Sequence, residues 1–376
     1  MIRVSLSVCT VARLPGARHH APMQLRSGMR ASSPWSEWAL PVFAVVLTTT
    51  VAGAAPRVAV LVEPARPGSR RAAEGILRLV AEALEHLGAE RARMLAPFDE
   101  DGLRRGRAEL EAATRGIRTD PALQRAAEHE RHFHRALLAF RGALGSVAVG
   151  ELVETFLGLA QTRLAQDDAR LARTYMASAV SLAPQIEQAR FFGRPKLKAL
   201  YRQVRAELSA GRVHSVRVET TPPGAEVYDG GRLVGLTPVT LEGLRAGTHL
   251  LVVRRDGFYT HGWLAEVGAE GIVALRHRLR PMPGQDRLAR ALQVLRHPRK
   301  WRRRPALAQA AGQDVRRLLR TDRAVVLRVT NQRKAFRLRG TVLTPEPHAV
   351  DLVLPQDATI LDRVEQLVRT WAGLTE

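Results

Sequence analysis

Between residues 216 and 259 the chain reads Val216-Arg-Val-Glu-Thr-Thr-Pro-Pro-Gly-Ala-Glu-Val-Tyr-Asp-Gly-Gly-Arg-Leu-Val-Gly-Leu-Thr-Pro-Val-Thr-Leu241. After Glu242-Gly243 it continues Leu244-Arg-Ala-Gly-Thr-His-Leu-Leu-Val-Val-Arg-Arg-Asp-Gly-Phe-Tyr259. Val216 and Val218 alternate with charged residues, the period of a half-buried strand. Pro222-Pro223-Gly224 forms a turn, Glu226 to Tyr228 a short strand, and Asp229-Gly230 a hairpin turn whose two central residues need positive φ. Gly235, Thr237-Pro238, Gly247 and Asp256-Gly257 then punctuate further short strands. Turns every ~8–12 residues are the rhythm of a small antiparallel sandwich.

Pro223-Gly-Ala225, Val227-Tyr-Asp-Gly230, Gly235-Leu-Thr-Pro238, Gly247-Thr-His249 and Gly257-Phe258 follow one another in an order and spacing that resembles the PEGA domain. The resemblance covers residues 213–281, under a fifth of the chain. It implies a small all-β module of cell-surface and envelope proteins, often found beside helical repeats. The family has no catalytic residues to carry over, and its glycines and prolines are read here as turn formers.

Upstream, residues 100–212 are rich in Ala, Leu, Arg and Glu and read as helical. Within residues 153–186, Phe156, Leu159, Ala160, Ala172, Met176, Ala179 and Pro184 fall at offsets that resemble a tetratricopeptide repeat. Arg163 departs from it, standing where the repeat carries an aromatic. A single repeat is visible, and stacking needs about three, so a packed helical hairpin is expected rather than a peptide groove. Residues 55–99 hold a buried strand, Arg57 to Glu63, and a helix with Ser69 as N-cap and Gly88 as stop. The connection Pro64-Ala-Arg-Pro-Gly-Ser69 has no phosphate-loop ending, which argues against nucleotide binding. Residues 1–54 read as a signal peptide with Met29 as the true start. An apolar centre at Leu40 to Leu47 leads to Ala52-Gly53-Ala54, the small-x-small exit of a cleavage site. An uncleaved single-span anchor is the other reading.

Downstream, residues 282–305 read as a basic linker and residues 306–376 as a small α/β segment: a helix at about 306–320, three strand-like runs and a closing amphipathic helix. The closing α/β segment could pair with the strand–helix unit at residues 57–88, a pairing that the sequence alone leaves open. The fold class expected is multidomain α+β. Of the 58 Lys and Arg against 36 acids, 20 lie between Arg276 and Gly340 beside three acids, so most of the net charge of +22 sits there. Its peak contains the candidate anion-binding residues Arg299, Lys300, Trp301, Arg302, Arg303 and Arg304. Clustered guanidinium groups take phosphate or carboxylate, and Trp301 suits a membrane interface. The other reading of this run is a solvated linker.

One cysteine, Cys9, excludes a disulfide framework and Cys-rich metal sites. Aromatics at 5% argue against nucleic-acid stacking surfaces. His129-Glu-Arg-His132-Phe-His134 lacks zincin spacing and reads as solvated helix, so no metal ligand is assigned. No nucleophile elbow occurs, and neither a catalytic residue nor a cofactor is expected. The expectation is an exported, periplasmic or envelope-bound, non-enzymatic scaffold. Its partners would be envelope proteins, cell-wall polymers or an anionic membrane surface; the pattern does not specify an oligomeric state. An envelope hydrolase or sugar-processing enzyme with an unrecognised site is the alternative. A cytosolic nucleic-acid binder would require the signal to be false.

Overall fold

The structure is a computed structural model that describes residues 55–186, 194–268, 273–296, 304–344 and 347–374. The signal-like segment and Arg299, Lys300, Trp301, Arg302 and Arg303 lie outside the described residues.

Strand β1 (Arg57–Pro64) buries Val58, Ala59, Val60 and Leu61 in an unbroken row. Such a run needs cover on both faces, as in the middle of an α/β sheet. One neighbour is the short β2 (Glu90–Arg91), reached through helix α1 (Arg70–His86). Leu87 and the left-handed Gly88 end α1, but Ser69 makes no capping bond and its buried hydroxyl finds no partner among the described residues.

After β2 come β3 (Leu95–Pro97), helices α2 (Glu100–Thr119), α3 (Ala126–Phe140), α4 (Val149–Ala165), α5 (Ala169–Leu182) and α6 (Pro195–Ser209). The turn-rich region follows as β4 (Val213–Thr221), β5 (Glu226–Asp229), β6 (Arg232–Leu236), β7 (Val239–Arg245), β8 (Gly247–Arg254), β9 (Phe258–Val267) and β10 (Val273–Arg278). The chain closes with α7 (Gln285–Leu295), α8 (Pro305–Leu319), β11 (Ala324–Gln332), β12 (Ala335–Leu343), β13 (Pro347–Pro355) and α9 (Ile360–Ala372). The architecture is multidomain α+β.

The other neighbour of β1 is β11, paired in parallel from Ala59 with Ala324 to Pro64 with Val329, within a sheet of order β13-β12-β11-β1-β2. The two ends of the described chain therefore build one sheet, and everything from β3 to β10 is an insertion into it. Val58 and Val60 pack with α1 and α9; Ala59 and Leu61 pack with α7 and α8. Alternating side chains thus fill two separate helical layers.

Helix α7 corrects the reading of residues 282–305 as linker. Leu288, Ala291, Leu292 and Leu295 bury one stripe of it against the sheet. Arg287, Arg290 and Arg296 raise the charge of the segment, but an i, i+3, i+4, i+7 apolar pattern runs beneath them.

The turn-rich region is a sandwich of a three-stranded sheet, β10-β4-β7, and a five-stranded one, β3-β9-β8-β5-β6, around Val216, Val218, Val227, Leu251 and Val253. Strand β3 joins it from outside, parallel to β9. The hairpin turn lies one residue later than expected. Asp229 pairs with Arg232, so the central residues are Gly230 and Gly231, and both have positive φ. Helices α4 and α5 pack against each other, burying Phe156, Leu159, Ala160, Ala172, Met176 and Ala179. Arg163 pairs there with Glu130 of α3 and stands 3.6 Å from Asp168.

Candidate anion-binding surfaces

Arg304 is exposed and immediately precedes α8, whose first residue is Pro305. Arg296 ends α7 and pairs with Glu63 near the end of β1. These two residues bracket the basic run.

The sandwich is tied to the α/β sheet by a buried charge network. Arg91 and Arg93 alternate along an extended segment and both reach Glu226 at the start of β5, Arg91 at 3.0 Å. The Tyr228 hydroxyl donates to the same carboxylate at 2.6 Å. Arg93 also meets Asp256 at 3.3 Å, and Asp256 accepts the backbone N–H of Met94 at 3.0 Å. Burial alone would push the Glu226 carboxyl up; the Arg91 and Arg93 charges and the Tyr228 hydrogen bond outweigh it and hold it at about 2. Burial likewise works against the Arg93 cation, and Asp256 and Glu226 overcome it to raise its pKa. Helix α1 adds a second seam: the Leu236 N–H donates to Glu74 at 3.0 Å, Arg78 donates to the Val234 carbonyl at 2.9 Å and Arg70 to the Pro238 carbonyl at 2.7 Å.

Between the two modules lies a cleft of about 460 Å³. One wall is the carboxyl end of β1 with the start of α1; the other is the turns around Pro223-Gly224 and Arg254-Arg255-Asp256; α7 closes the base with Gln285, Ala289 and Leu292. Arg91, Arg93 and Arg296 line it already paired with Glu226, Asp256 and Glu63. Arg66, Arg70, Arg254 and Arg255 also line it, and among the described residues they have no carboxylate partner. Arg254 lies over the Tyr228 ring at 4.7 Å, and Arg255 donates to the Pro223 carbonyl. Burial lowers the pKa of both Arg254 and Arg255. None of these arginines stands out in the sequence, because they are scattered from Arg66 to Arg296; the Arg254-Arg255 doublet ending a strand is the one local signal.

The three histidines of α3 go to three carboxylates: His129 to Asp120 at 3.1 Å, His132 to Glu109 at 2.6 Å and His134 to Glu130 at 3.1 Å. His129 is not solvated as expected but 2% exposed, because it packs beneath the loop that Asp120 organises. The backbone N–H of Arg125 is the chief cause of the lowered pKa of Asp120. Among the described residues, no three side chains of metal-ligand type gather into one group. Nor is any described helix long and apolar enough to cross a membrane.

Comparison with curated proteins and with solved structures found no match. Residues 213–281, which comprise β4 to β10, match the family model of the PEGA domain. The chain therefore carries a PEGA domain at residues 213–281, locked by buried ion pairs onto a sheet made from residues on either side of it.

Proposed function

We propose that the protein is an exported, non-enzymatic interaction protein of the cell envelope that presents its helical region and its PEGA domain at fixed spacing. The observation that carries this reading is the PEGA match at residues 213–281, a module type associated with envelope proteins. The buried Glu226 network supports it, since ion pairs closed off from water hold two modules in one register. Attachment falls to Arg299, Lys300, Trp301, Arg302, Arg303 and Arg304. Each Lys or Arg near an anionic surface contributes about 1 kcal/mol at low salt.

Replacing Arg299, Lys300, Arg302, Arg303 and Arg304 with Ser is expected to weaken co-sedimentation with anionic phospholipid vesicles at least tenfold and to flatten its salt dependence. Vesicle binding that is unchanged in strength and salt response would remove the attachment role.

A further inference from the structure

The cleft between β1, α7 and the PEGA turns has a use that module attachment does not require. Charges taken out of water are as a rule paired with an opposite charge. Here seven arginines face three acids, and those acids are already engaged by Arg91, Arg93 and Arg296. That leaves Arg66, Arg70, Arg254 and Arg255 around one cavity without a carboxylate among the described residues, Arg70 and Arg255 being held only by the neutral Pro238 and Pro223 carbonyls and Arg254 by the Tyr228 ring.

Placement adds to the excess. The cavity opens at the carboxyl end of a central parallel strand, where the crevice of an open α/β sheet takes its ligands. Arg70 is the first residue of α1, so the positive end of that helix dipole faces the same region. The volume of about 460 Å³ falls in the range of small-molecule sites, roughly 300–1,000 Å³. Partial burial strips water from Arg254 and Arg255 and disfavours their charge, a cost that an incoming anion relieves.

We propose that this cleft binds a small organic phosphate, its phosphoryl oxygens held by the guanidinium groups of Arg254 and Arg255 from the PEGA side and of Arg66 and Arg70 from the α/β side. The planar forks of arginine match phosphate bidentately, and four of them suit a group of two negative charges better than a single carboxylate. Recognition through side chains is consistent with a β1–α1 connection that has no phosphate loop. A ligand held from both sides would also bridge the PEGA domain to the sheet.

The test is calorimetric titration of the full chain with inorganic pyrophosphate at about 0.15 M salt, an ionic strength that screens exposed charge more than charge in a cleft. Two variants localise the site. Arg254→Gln removes one fork, and Ala289→Glu sets a carboxylate on an exposed position of α7 that lines the cleft. Glu is a good helix former, so Ala289→Glu decides the matter even if Arg254→Gln does not fold. Saturable binding at one site, weakened at least tenfold in the folded variants, with succinate at least tenfold weaker than pyrophosphate, is the expected result. Absence of saturable binding would overturn the proposal. So would equal affinity in wild type and Ala289→Glu, which would put the site elsewhere, or equal affinity for succinate, which would remove the phosphate assignment.

Discussion

Glu226 makes the strongest single-residue statement in the molecule. Its carboxylate is buried between two guanidinium groups and a phenol, each from a defined place in the fold. Replacing it with Leu would leave Arg91 with the Val60 carbonyl but no carboxylate and Arg93 with Asp256 as its one carboxylate, and breaking such a buried pair costs about 3–5 kcal/mol. Urea unfolding of Glu226→Leu should show a loss of that order, whereas a loss below about 1 kcal/mol would mean that the network does not hold the modules together. His261 and His277 form the opposite kind of pair, half-buried and of like kind. Their rings stack at 3.5 Å across the two sheets of the sandwich. Burial first, and then His277, pushes His261 from 6.5 down to about 4. The unfolded chain therefore binds a proton that the folded chain refuses, so stability is full above pH 6.5 and declines as pH falls toward 4. His261→Phe should flatten the fall of melting temperature between those pH values. A variant whose pH profile parallels wild type would assign the fall to other groups.

Local chemistry made many of the elements readable from sequence. The PEGA turns are set by Pro222-Pro223-Gly224, Thr237-Pro238 and Gly257, which act on their own backbone, so motif spacing carried over directly to β4 to β10. The three C-terminal strands and α9 appear where their periodicity placed them. The elements that differ from the sequence reading are those in which charge, distance or a second glycine decides. Helix α7 was hidden under arginines, and the hairpin turn moved by one residue because Gly231 as well as Gly230 accepts positive φ. The excess cations of the cleft come from segments nearly two hundred residues apart, and no periodicity reports such a convergence. The structural standing of α7 can be checked at Leu295, which is fully buried. Leu295→Ala should cost about 2–5 kcal/mol, as for a core leucine, and an effect under about 0.5 kcal/mol would return the segment to the status of linker. Close packing also ties the helical region to the sandwich. Gly145 and Gly262 approach so tightly that a Cβ on Gly262 would stand 2.7 Å from the Gly145 nitrogen.

At the scale of the whole molecule, residues 54–376 form one compact unit in which the first strand waits for a partner about 260 residues later. The helical region and the PEGA domain are carried inside that sheet domain rather than strung beside it. β3 and the Glu226 network fasten the insertion at its root. This nesting holds the modules at set positions and places the cleft between the sheet domain and its insert. The proposed envelope role requires the protein to be exported. N-terminal sequencing of the protein recovered from fractionated cells tests that directly. A mature start at Ala55 in an envelope fraction is the expected result, whereas an intact N-terminus in the cytosolic fraction would contradict the proposed role.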